Sequence, residues 1–197
     1  RVFDDLDLLV GDGVIAAYGV SVETCAEALA AIARPGIASV QIVLNAFRLK
    51  PLDEVLPAAV ASGVGIIARV PLASGLLTGR YTRDTTFAEN NHRTFNRQGE
   101  AFDVGETFSG VDYARGVDAA QAFADLAAGA GLGASAAALA WVAQLPGVST
   151  VIPGARNVAQ ARSNAAAGKV PALGDAFAEG VRAIYDEYFH EAIHPRW

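Results

Sequence analysis

The chain has 197 residues, of which 52% are hydrophobic and 18% are charged, so its apolar side chains suffice for the core of one domain. Its net charge of -6 provides no basic stripe for a phosphate backbone, which argues against nucleic acid as a partner. The single cysteine, Cys25, cannot form an internal disulfide, which predicts a reducing cytoplasm as the compartment. No apolar run reaches the roughly 18 residues of a transmembrane helix, so no membrane partner is expected.

Short apolar runs alternate with helical patterns along the chain. Residues 3–10 are predicted to form a helix that begins without a clear cap. Almost wholly apolar runs predict buried strands at residues 14–20, 39–44, 65–70 and 149–152. Further helices are predicted at about residues 21–33, with Ser21 as the N-cap, at 53–61, and from about residue 157 onward.

This alternation predicts an α/β fold with a parallel sheet, right-handed crossovers and both sheet faces covered. Four strand-helix units amount to half of a (β/α)8 TIM barrel, which usually needs about 250 residues. Methionine is absent from the chain, and its first predicted helix lacks a cap. Together these features predict a fragment, with residues 1–197 forming one portion of a single barrel domain.

A long polar stretch, residues 79–110, interrupts the alternation. A loop of this length inside a domain is typically either a functional lid or disordered. Helices are predicted after it at about residues 117–128, 134–144 and 175–189, the last with its apolar residues on one face. The predicted fold is therefore half of a parallel barrel with extra C-terminal helices.

Residues that follow the strand ends are the first candidates for a functional site, because parallel α/β folds place their sites there. After the third strand, Pro71 stops the strand, and Gly75 and Gly79 let the backbone approach a ligand. Ser74 offers a hydroxyl, and Arg80 offers a guanidinium group suited to phosphate. The same pattern is compatible with a glycine-rich turn and a solvated arginine.

The fourth strand leads through a proline-glycine turn into the start of a helix. Such a start offers free backbone N–H groups and the positive end of the helix dipole to an anion. Arg156 adds charge there, and Gln160 and Asn164 share one helix face because they are four residues apart. An ordinary surface helix is the alternative interpretation of this pattern.

The order of these segments resembles the aldo-keto reductase family. The resemblance rests on PLASGLLTGRY at residues 71–81 after the third strand and on IPGARN at residues 152–157 after the fourth. GVS at residues 19–21, Gln41 in the second strand and HRTFN at residues 92–96 also fit. By this resemblance, the chain is the C-terminal half of the barrel, and the N-terminal half is not in this chain.

The resemblance implies an NADP(H) site and gives individual residues roles in it. Ser21 and Gln41 would hydrogen-bond the nicotinamide carboxamide. Arg69 takes the position where many members stack an aromatic ring on the nicotinamide, and a planar guanidinium group can also stack there. The pyrophosphate would be wrapped by Pro71, Leu72, Ala73, Ser74 and Gly75 and paired with Arg80.

The same resemblance places the adenosine end of the cofactor against the last strand-helix unit. Its predicted contacts are Gly154, Arg156, Gln160 and Asn164. Arg156 is the candidate for the 2′-phosphate, which favours NADP over NAD. Ser163 stands where many members have a glutamate, so one adenine contact is expected to be absent. Arg93 would lie in the loop that folds over the cofactor.

The activity implied by the resemblance is the reduction of an aldehyde or ketone by hydride transfer from NADPH. The family's catalytic aspartate, tyrosine, lysine and histidine belong to the N-terminal half of the barrel. No catalytic residue and no metal ligand is therefore assigned here, and this chain alone is expected to be inactive. The family is also similar to cytoplasmic subunits of potassium channels, so a non-catalytic NADP(H)-binding subunit is one alternative and an inactive truncated fragment is another.

Several other polar residues have structural explanations. Tyr18 is predicted to lie in the core, Lys50 in solvent, and Cys25 inside a buried helix face. His190 and His194 are predicted to be exposed. A half-barrel would also expose sheet edges and an apolar interior. Besides a small carbonyl substrate, the expected partner is therefore the missing half of the same barrel or a second copy of the chain.

Overall fold

Four parallel strands form one sheet whose spatial order, β1-β2-β3-β4, follows the chain. The computed structural model describes residues 2–197. The strands are β1 (Tyr18–Ser21), β2 (Ile37–Val43), β3 (Gly65–Arg69) and β4 (Val148–Val151). Each strand pairs in parallel with its neighbour along the chain. The predicted parallel α/β sheet is confirmed.

Helices connect the strands and continue beyond the last one. They are α1 (Val2–Gly11), α2 (Cys25–Ile32), α3 (Val55–Ser62), α4 (His92–Phe95), α5 (Tyr113–Gly129), α6 (Ala134–Ala143), α7 (Val158–Ala167), α8 (Asp175–Tyr188) and α9 (His190–Ile193). Short 3₁₀ turns occupy Lys50–Leu52, Ala73–Thr78, Val104–Glu106 and Phe108–Gly110. Within residues 2–197 no single helix is long and apolar enough to cross a membrane, and α5 and α6 reach that composition only as a pair bent by 82°. The predicted first helix and the extra C-terminal helices are confirmed.

The first strand begins later than predicted. Residues 14–17 form a turn against the end of α1, where the Val14 amide donates to the carbonyl oxygen of Leu9 at 2.9 Å. Since this turn uses the chain up to residue 17, β1 starts only at Tyr18. The Tyr18 ring is buried and its hydroxyl donates to the Asp7 carboxylate. The predicted core position of Tyr18 is therefore confirmed.

The second helix has a different N-cap from the predicted one. Ser21 is the last residue of β1, and Thr24 caps α2 instead. The Thr24 hydroxyl accepts from the Glu27 amide at 3.1 Å, and the Glu27 carboxylate accepts from the Thr24 amide at 2.9 Å. This reciprocal capping box satisfies two N–H groups that a single serine cap cannot. Cys25 then begins the helix as a buried side chain, as predicted.

The helices cover only one face of the sheet. The side chains on that face are buried: Val40, Ile42, Ile66 and Ala68. The opposite face, called the open face below, carries the half-exposed Ile67 and otherwise mostly small or polar residues that are exposed or half-exposed: Gly19, Ser39, Gln41, Gly65, Ser149 and Thr150. These residues fit closely, since a Cβ on Gly19 would lie 2.3 Å from the Ser39 hydroxyl. Within residues 2–197, therefore, only one of the two faces is covered, and the open face is less apolar than expected.

Aromatic rings join the C-terminal helices to the main core. Phe123 of α5 lies edge-on to Phe47 at 6.2 Å and to Phe177 of α8 at 6.1 Å. Phe47, which follows β2, stacks on Phe189 at 4.5 Å. All of these rings are buried. Because α8 completes this core, it is part of the same folded unit as the sheet.

A chain of hydrogen bonds corrects the expectation that His194 is exposed. Only 24% of its side chain is exposed, and its Nε2 lies 3.1 Å from Asp53 Oδ2. Its Nδ1 lies 3.0 Å from the hydroxyl of the buried Tyr185. A neutral ring satisfies both contacts, because Nε2–H donates to Asp53 and Nδ1 accepts from Tyr185. The His190 ring, stacked on His194 at 4.3 Å, is exposed as predicted, whereas Lys50 is only half-exposed.

These surroundings predict a pH dependence of stability. Burial lowers the pKa of His194 below its ordinary 6.5, and the charges of His190, Lys50 and Arg182 act in the same direction, while Asp53 opposes them. Since the unfolded chain then takes up this proton before the folded chain does, we expect the free energy of unfolding to fall as pH drops below about 6.5. Urea denaturation at several pH values should show a smaller fall for His194→Gln. An unchanged pH dependence in His194→Gln would contradict the assignment.

Candidate functional site

A cleft of about 1320 Å³ lies between the segment after β3, the long loop and the start of α7. Most of the residues predicted from the strand-end motifs line it: Pro71, Leu72, Ser74, Gly75, Arg80, Arg93, Gly154, Arg156, Gln160 and Asn164. These residues come from three separate parts of the chain. They meet because the carboxyl ends of parallel strands lie at one edge of the sheet.

Four predicted residues lie outside this cleft. Ser21 ends β1, and its register partner Gln41 lies two residues before the end of β2. Arg69 ends β3 and directly precedes Val70, which does line the cleft. The Ala73 side chain is fully buried. These residues could contact a ligand only if it extended from the cleft along the strand ends. Their predicted roles in cofactor binding stay predictions.

Arg69 is held by carboxylates on two sides. Its Nη2 lies 2.7 Å from Glu23 Oε1 and 3.1 Å from the carbonyl oxygen of Val22. Its Nη1 pairs with the Glu106 carboxylate, and only 12% of the Arg69 side chain is exposed. The positive charge that Arg69 brings to the predicted nicotinamide position is thus balanced by its own neighbours.

The backbone after β3 is unusual where it forms the cleft wall. Val70, Ala73 and Ser74 have φ values of 53°, 47° and 56°, a left-handed region that L side chains rarely adopt. Gly75 has φ 99°, and a Cβ there would lie 2.5 Å from the Tyr81 hydroxyl. Glycine is therefore required for backbone conformation and for packing against Tyr81, besides the predicted approach to a ligand. Strain of this kind clusters at functional sites.

Three arginine side chains give the cleft its charge. Arg80, Arg93 and Arg156 line it, and none of them forms an ion pair within residues 2–197. Partial burial lowers the pKa of the Arg93 guanidinium; Tyr81 raises it, and the positive charge of Arg156 lowers it further. Arg93 and Arg156 therefore repel each other, and an anion bound between them would relieve that repulsion.

The start of α7 is braced by its own side chains. Asn157 caps the helix by accepting from the Gln160 amide at 2.9 Å. Gln160 Oε1 accepts from the Arg156 amide at 2.7 Å, and Asn164 Nδ2 donates to the carbonyl oxygen of Gly154 at 3.2 Å. The turn that carries Arg156 is thus fixed while the Arg156 side chain stays exposed. First-turn amides of a helix have no backbone partner inside it, so those that the Asn157 side chain does not cap are available to an anion.

The loop of residues 79–110 is folded, so the interpretation of it as disordered is wrong, while its function as a lid stays a prediction. It contains α4 and two 3₁₀ turns. The Phe87 ring packs against Phe108 at 5.8 Å and Tyr113 at 6.1 Å, and the Arg97 guanidinium lies 4.8 Å above the Tyr113 ring. The buried Asn96 carboxamide accepts from two backbone amides of the loop at 2.9 and 2.8 Å. The loop therefore has an interior of its own.

Several cleft residues were not identified from the sequence. Tyr81 belongs to the segment that follows β3, so its position beside Arg80 could have identified it. Phe102, which is 43% exposed, and the half-buried His92 also line the cleft. Glu106 has no local signal, because its partner Arg69 lies 37 residues earlier in the chain.

This arrangement suits an anionic ligand with an apolar part. Guanidinium groups at separate places along the cleft can each take a phosphate, and Arg recognises phosphate through paired N–H groups. Phe102 and Ile152 add exposed apolar surface to the same cleft. Within residues 2–197, no group of three or more His, Cys, Asp or Glu side chains could hold a metal ion. A ligand with several phosphates therefore fits the described residues best.

Comparison with known proteins identifies the family. A model of the Aldo/keto reductase family matches residues 1–186. The chain belongs to the aldo/keto reductase family. The resemblance seen in the strand-end motifs is thereby confirmed, and the four parallel strands with their helices are part of a (β/α)8 barrel.

Curated relatives of this aldo/keto reductase chain are longer than it is. An uncharacterized oxidoreductase of Mycobacterium tuberculosis is 30% identical over 182 residues, which cover 89% of this chain and 52% of the relative. A probable voltage-gated potassium channel subunit beta of Arabidopsis thaliana is 32% identical over 122 residues, which cover 59% of this chain and 34% of that protein. The chain thus spans about half the length, or less, of these relatives.

Solved structures agree with this family assignment. The glycerol dehydrogenase of Gluconobacter oxydans superimposes with a TM-score of 0.76 at 27% identity, covering 98% of this chain and 55% of that one. The holo form of an aldo-keto reductase of Bacillus halodurans superimposes with a TM-score of 0.68 at 20% identity, covering 90% of this chain and 53% of that one. The second likeness shows the shared fold alone.

Proposed function

We propose that this protein is an NADP(H)-dependent aldo-keto reductase that reduces aldehyde or ketone groups. The observation that carries the proposal is the single cleft lined by Arg80, Arg93 and Arg156, none of which forms an ion pair within the described part of the chain. NADP(H) carries a pyrophosphate and a separate 2′-phosphate, which matches guanidinium groups at separate positions. Membership of the family and its oxidoreductase relatives support the class of reaction.

In this proposal, each part of the cleft binds a different part of the cofactor. Arg80 pairs with the pyrophosphate, Arg156 with the 2′-phosphate, and Arg93 covers the ligand from the loop. The Ser74 hydroxyl is already bonded to the carbonyl oxygen of Glu106 at 2.7 Å and to the Phe108 amide at 3.2 Å. Ser74 therefore meets the ligand through its backbone N–H.

The strand ends hold the reactive end of the cofactor. Ser21 and Gln41 bind the nicotinamide carboxamide, and Arg69 lies against the ring with its charge balanced by Glu23 and Glu106. The nicotinamide supplies the hydride when NADPH is bound. The loop of residues 79–110 covers the cleft and keeps water from it.

Turnover tests this proposal directly. We expect the intact protein to oxidise NADPH, followed at its absorbance maximum, when small aldehydes or ketones are supplied, and to do so faster than with NADH. A reaction without a carbonyl compound is the control. Absence of NADPH binding would contradict the proposal.

A non-catalytic NADP(H)-binding subunit is the second candidate. The observation in its favour is the likeness to the potassium channel subunit beta of Arabidopsis thaliana. The two candidates share the cleft and differ in chemistry. Tight NADPH binding without carbonyl reduction across a broad panel of aldehydes and ketones would favour the subunit over the reductase.

We also propose that the open face of the sheet is covered by the remaining half of the barrel or by a second copy of this chain. Supporting this are the half-exposed Gln41 and Ile67 on that face and the outer edges of β1 and β4, which pair with no further strand within the described residues. Light scattering on the 197-residue chain tests it, and a well-folded monomer would contradict it. The free, buried Cys25 supports a reducing cytoplasm as the compartment.

A further inference from the structure

Residues 103–110, called the lid segment here, contain a strained part of the backbone. Phe108 and Ser109 have φ values of 53° and 58°, and Gly110 follows with 76°. The first two carry side chains that rarely adopt this left-handed region. Such a conformation persists only when its surroundings hold it, so the contacts of the lid segment are the place to look for function.

An ion pair ties the lid segment to the strand ends. The Glu106 carboxylate pairs with Arg69, the last residue of β3. Arg69 is fixed in turn by Glu23 Oε1 at 2.7 Å and by the carbonyl oxygen of Val22 at 3.1 Å, both in the connection after β1. With 12% of the Arg69 side chain and 21% of the Glu106 side chain exposed, the pair is mostly shielded from water. Charge-assisted contacts of this kind are among the strong ones.

Hydrogen bonds through Ser74 connect the lid segment to the cleft wall. The Ser74 hydroxyl donates to the carbonyl oxygen of Glu106 at 2.7 Å and accepts from the strained Phe108 at 3.2 Å. The Ser74 carbonyl oxygen accepts from Arg93 Nε. The positions of Ser74 and of the Arg93 guanidinium at the cleft therefore depend on the lid segment.

Trp197 holds the other side of the lid segment. Its Nε1–H donates to Asp103 Oδ2 at 3.2 Å, and the buried Arg48 guanidinium lies 4.1 Å from its ring. The ring packs where a Cβ on Gly105 or Gly110 would lie only 2.8 Å away. The lid segment is thus held between Trp197 and the Arg69 ion pair.

We propose that Glu106 is a positioning residue for the cleft. Its ion pair with Arg69 holds the lid segment in the strained conformation that places Ser74 and Arg93 at the cleft. Opening of this ion pair lets a bound dinucleotide leave. The identity of the ligand rests on the function proposed above. The positioning itself rests on the described contacts alone, so the two can be tested separately.

Hydrogen exchange of the intact protein without ligand tests the positioning. Glu106→Gln keeps the size of the side chain and removes its charge, and we expect the amides of residues 103–112 to exchange roughly tenfold faster or more. Glu89→Gln, an exposed carboxylate in the same loop, should leave them unchanged. Unchanged exchange in Glu106→Gln would overturn the proposal. Should Glu106→Gln fail to fold, Trp197→Phe removes the N–H donated to Asp103 together with part of the indole ring that packs on Gly105 and Gly110, and it should loosen the same amides.

The rate at which NADPH dissociates tests the consequence for the ligand. We expect Glu106→Gln to release NADPH about tenfold faster than the unsubstituted protein or Glu89→Gln. Faster hydrogen exchange with an unchanged dissociation rate would overturn the role in ligand release. If the unsubstituted protein binds no NADPH while Glu106→Gln still loosens the lid segment, the proposed function fails and the positioning of the lid segment is supported.

Discussion

Arg156→Ala should weaken NADPH binding by about 10- to 100-fold and leave NADH binding nearly unchanged. Arg156 lines the cleft, stays exposed at the start of α7 and forms no ion pair within residues 2–197. A charge-assisted hydrogen bond to a phosphate contributes about 1.5–3 kcal/mol, which sets the size of the expected loss. Only NADPH carries the 2′-phosphate, so the loss should be specific to it. Fluorescence titration of both cofactors at one fixed ionic strength measures the effect.

The same helix offers a matched control for this substitution. Arg162 lies within α7, six residues after Arg156, and is likewise exposed, but it does not line the cleft. Arg162→Ala removes the same charge, and we expect NADPH affinity to change by less than about twofold, as for an exposed charge that makes no contact. An equal loss for NADPH and NADH in Arg156→Ala would show that Arg156 does not read the 2′-phosphate. If Arg156→Ala lowers the affinity for neither cofactor, Arg156 is not part of the binding site.

Gly110→Ala should lower the free energy of unfolding by about 2–5 kcal/mol. Gly110 has φ 76°, and a Cβ built on it would lie 2.8 Å from Cη2 of Trp197. The left-handed backbone costs an alanine about 1–2 kcal/mol, and a clash with a packed ring adds about 1–3 kcal/mol. Because the Trp197 ring is 94% buried by its neighbours, moving it would also disturb its bond to Asp103. Denaturation in urea measures the loss.

Gly131→Ala separates the two costs. Gly131 has φ 73°, almost the same as Gly110, but nothing lies within 4 Å of the Cβ position. We therefore expect only the backbone cost of about 1–2 kcal/mol there. The difference between the two variants measures the packing of Trp197 against the lid segment. If both variants lose the same free energy of unfolding, the Trp197 ring moves aside at no energetic cost and does not hold the lid segment in place.

Much of the fold follows from local sequence patterns. The runs at residues 39–44 and 65–70 predict β2 and β3 to within two residues, since an apolar run of this length favours a buried strand. The predictions fail where the local signal is ambiguous. Residues 14–17 are as apolar as a strand, yet the amides of Val14 and Ile15 bond to the carbonyl oxygen of Leu9 in α1. Ser21 and Thr24 can both cap a helix, and the reciprocal bond from Glu27 decides between them.

The cleft could be predicted in part for the same reason. Segments after strand ends converge in any parallel sheet, so the motifs at residues 71–81 and 152–157 place most of the lining residues. The sequence could not predict which polar atoms remain available to a ligand. The Ser74 hydroxyl is predicted to face phosphate, but it bonds to Glu106 and Phe108, more than 30 residues further along the chain.

The amino-acid sequence by itself determined the strand-helix alternation, the parallel sheet and the family, because apolar runs, turns and strand-end motifs act over a few residues. Only the tertiary structure decided which charges meet. Arg69 pairs with Glu106, which is 37 residues away in sequence, and Trp197 donates a hydrogen bond to Asp103, which is 94 residues away. Such contacts depend on how whole elements pack against one another, and no short stretch of the chain carries that information. The open sheet face, with its mostly small or polar residues, follows from packing in the same way.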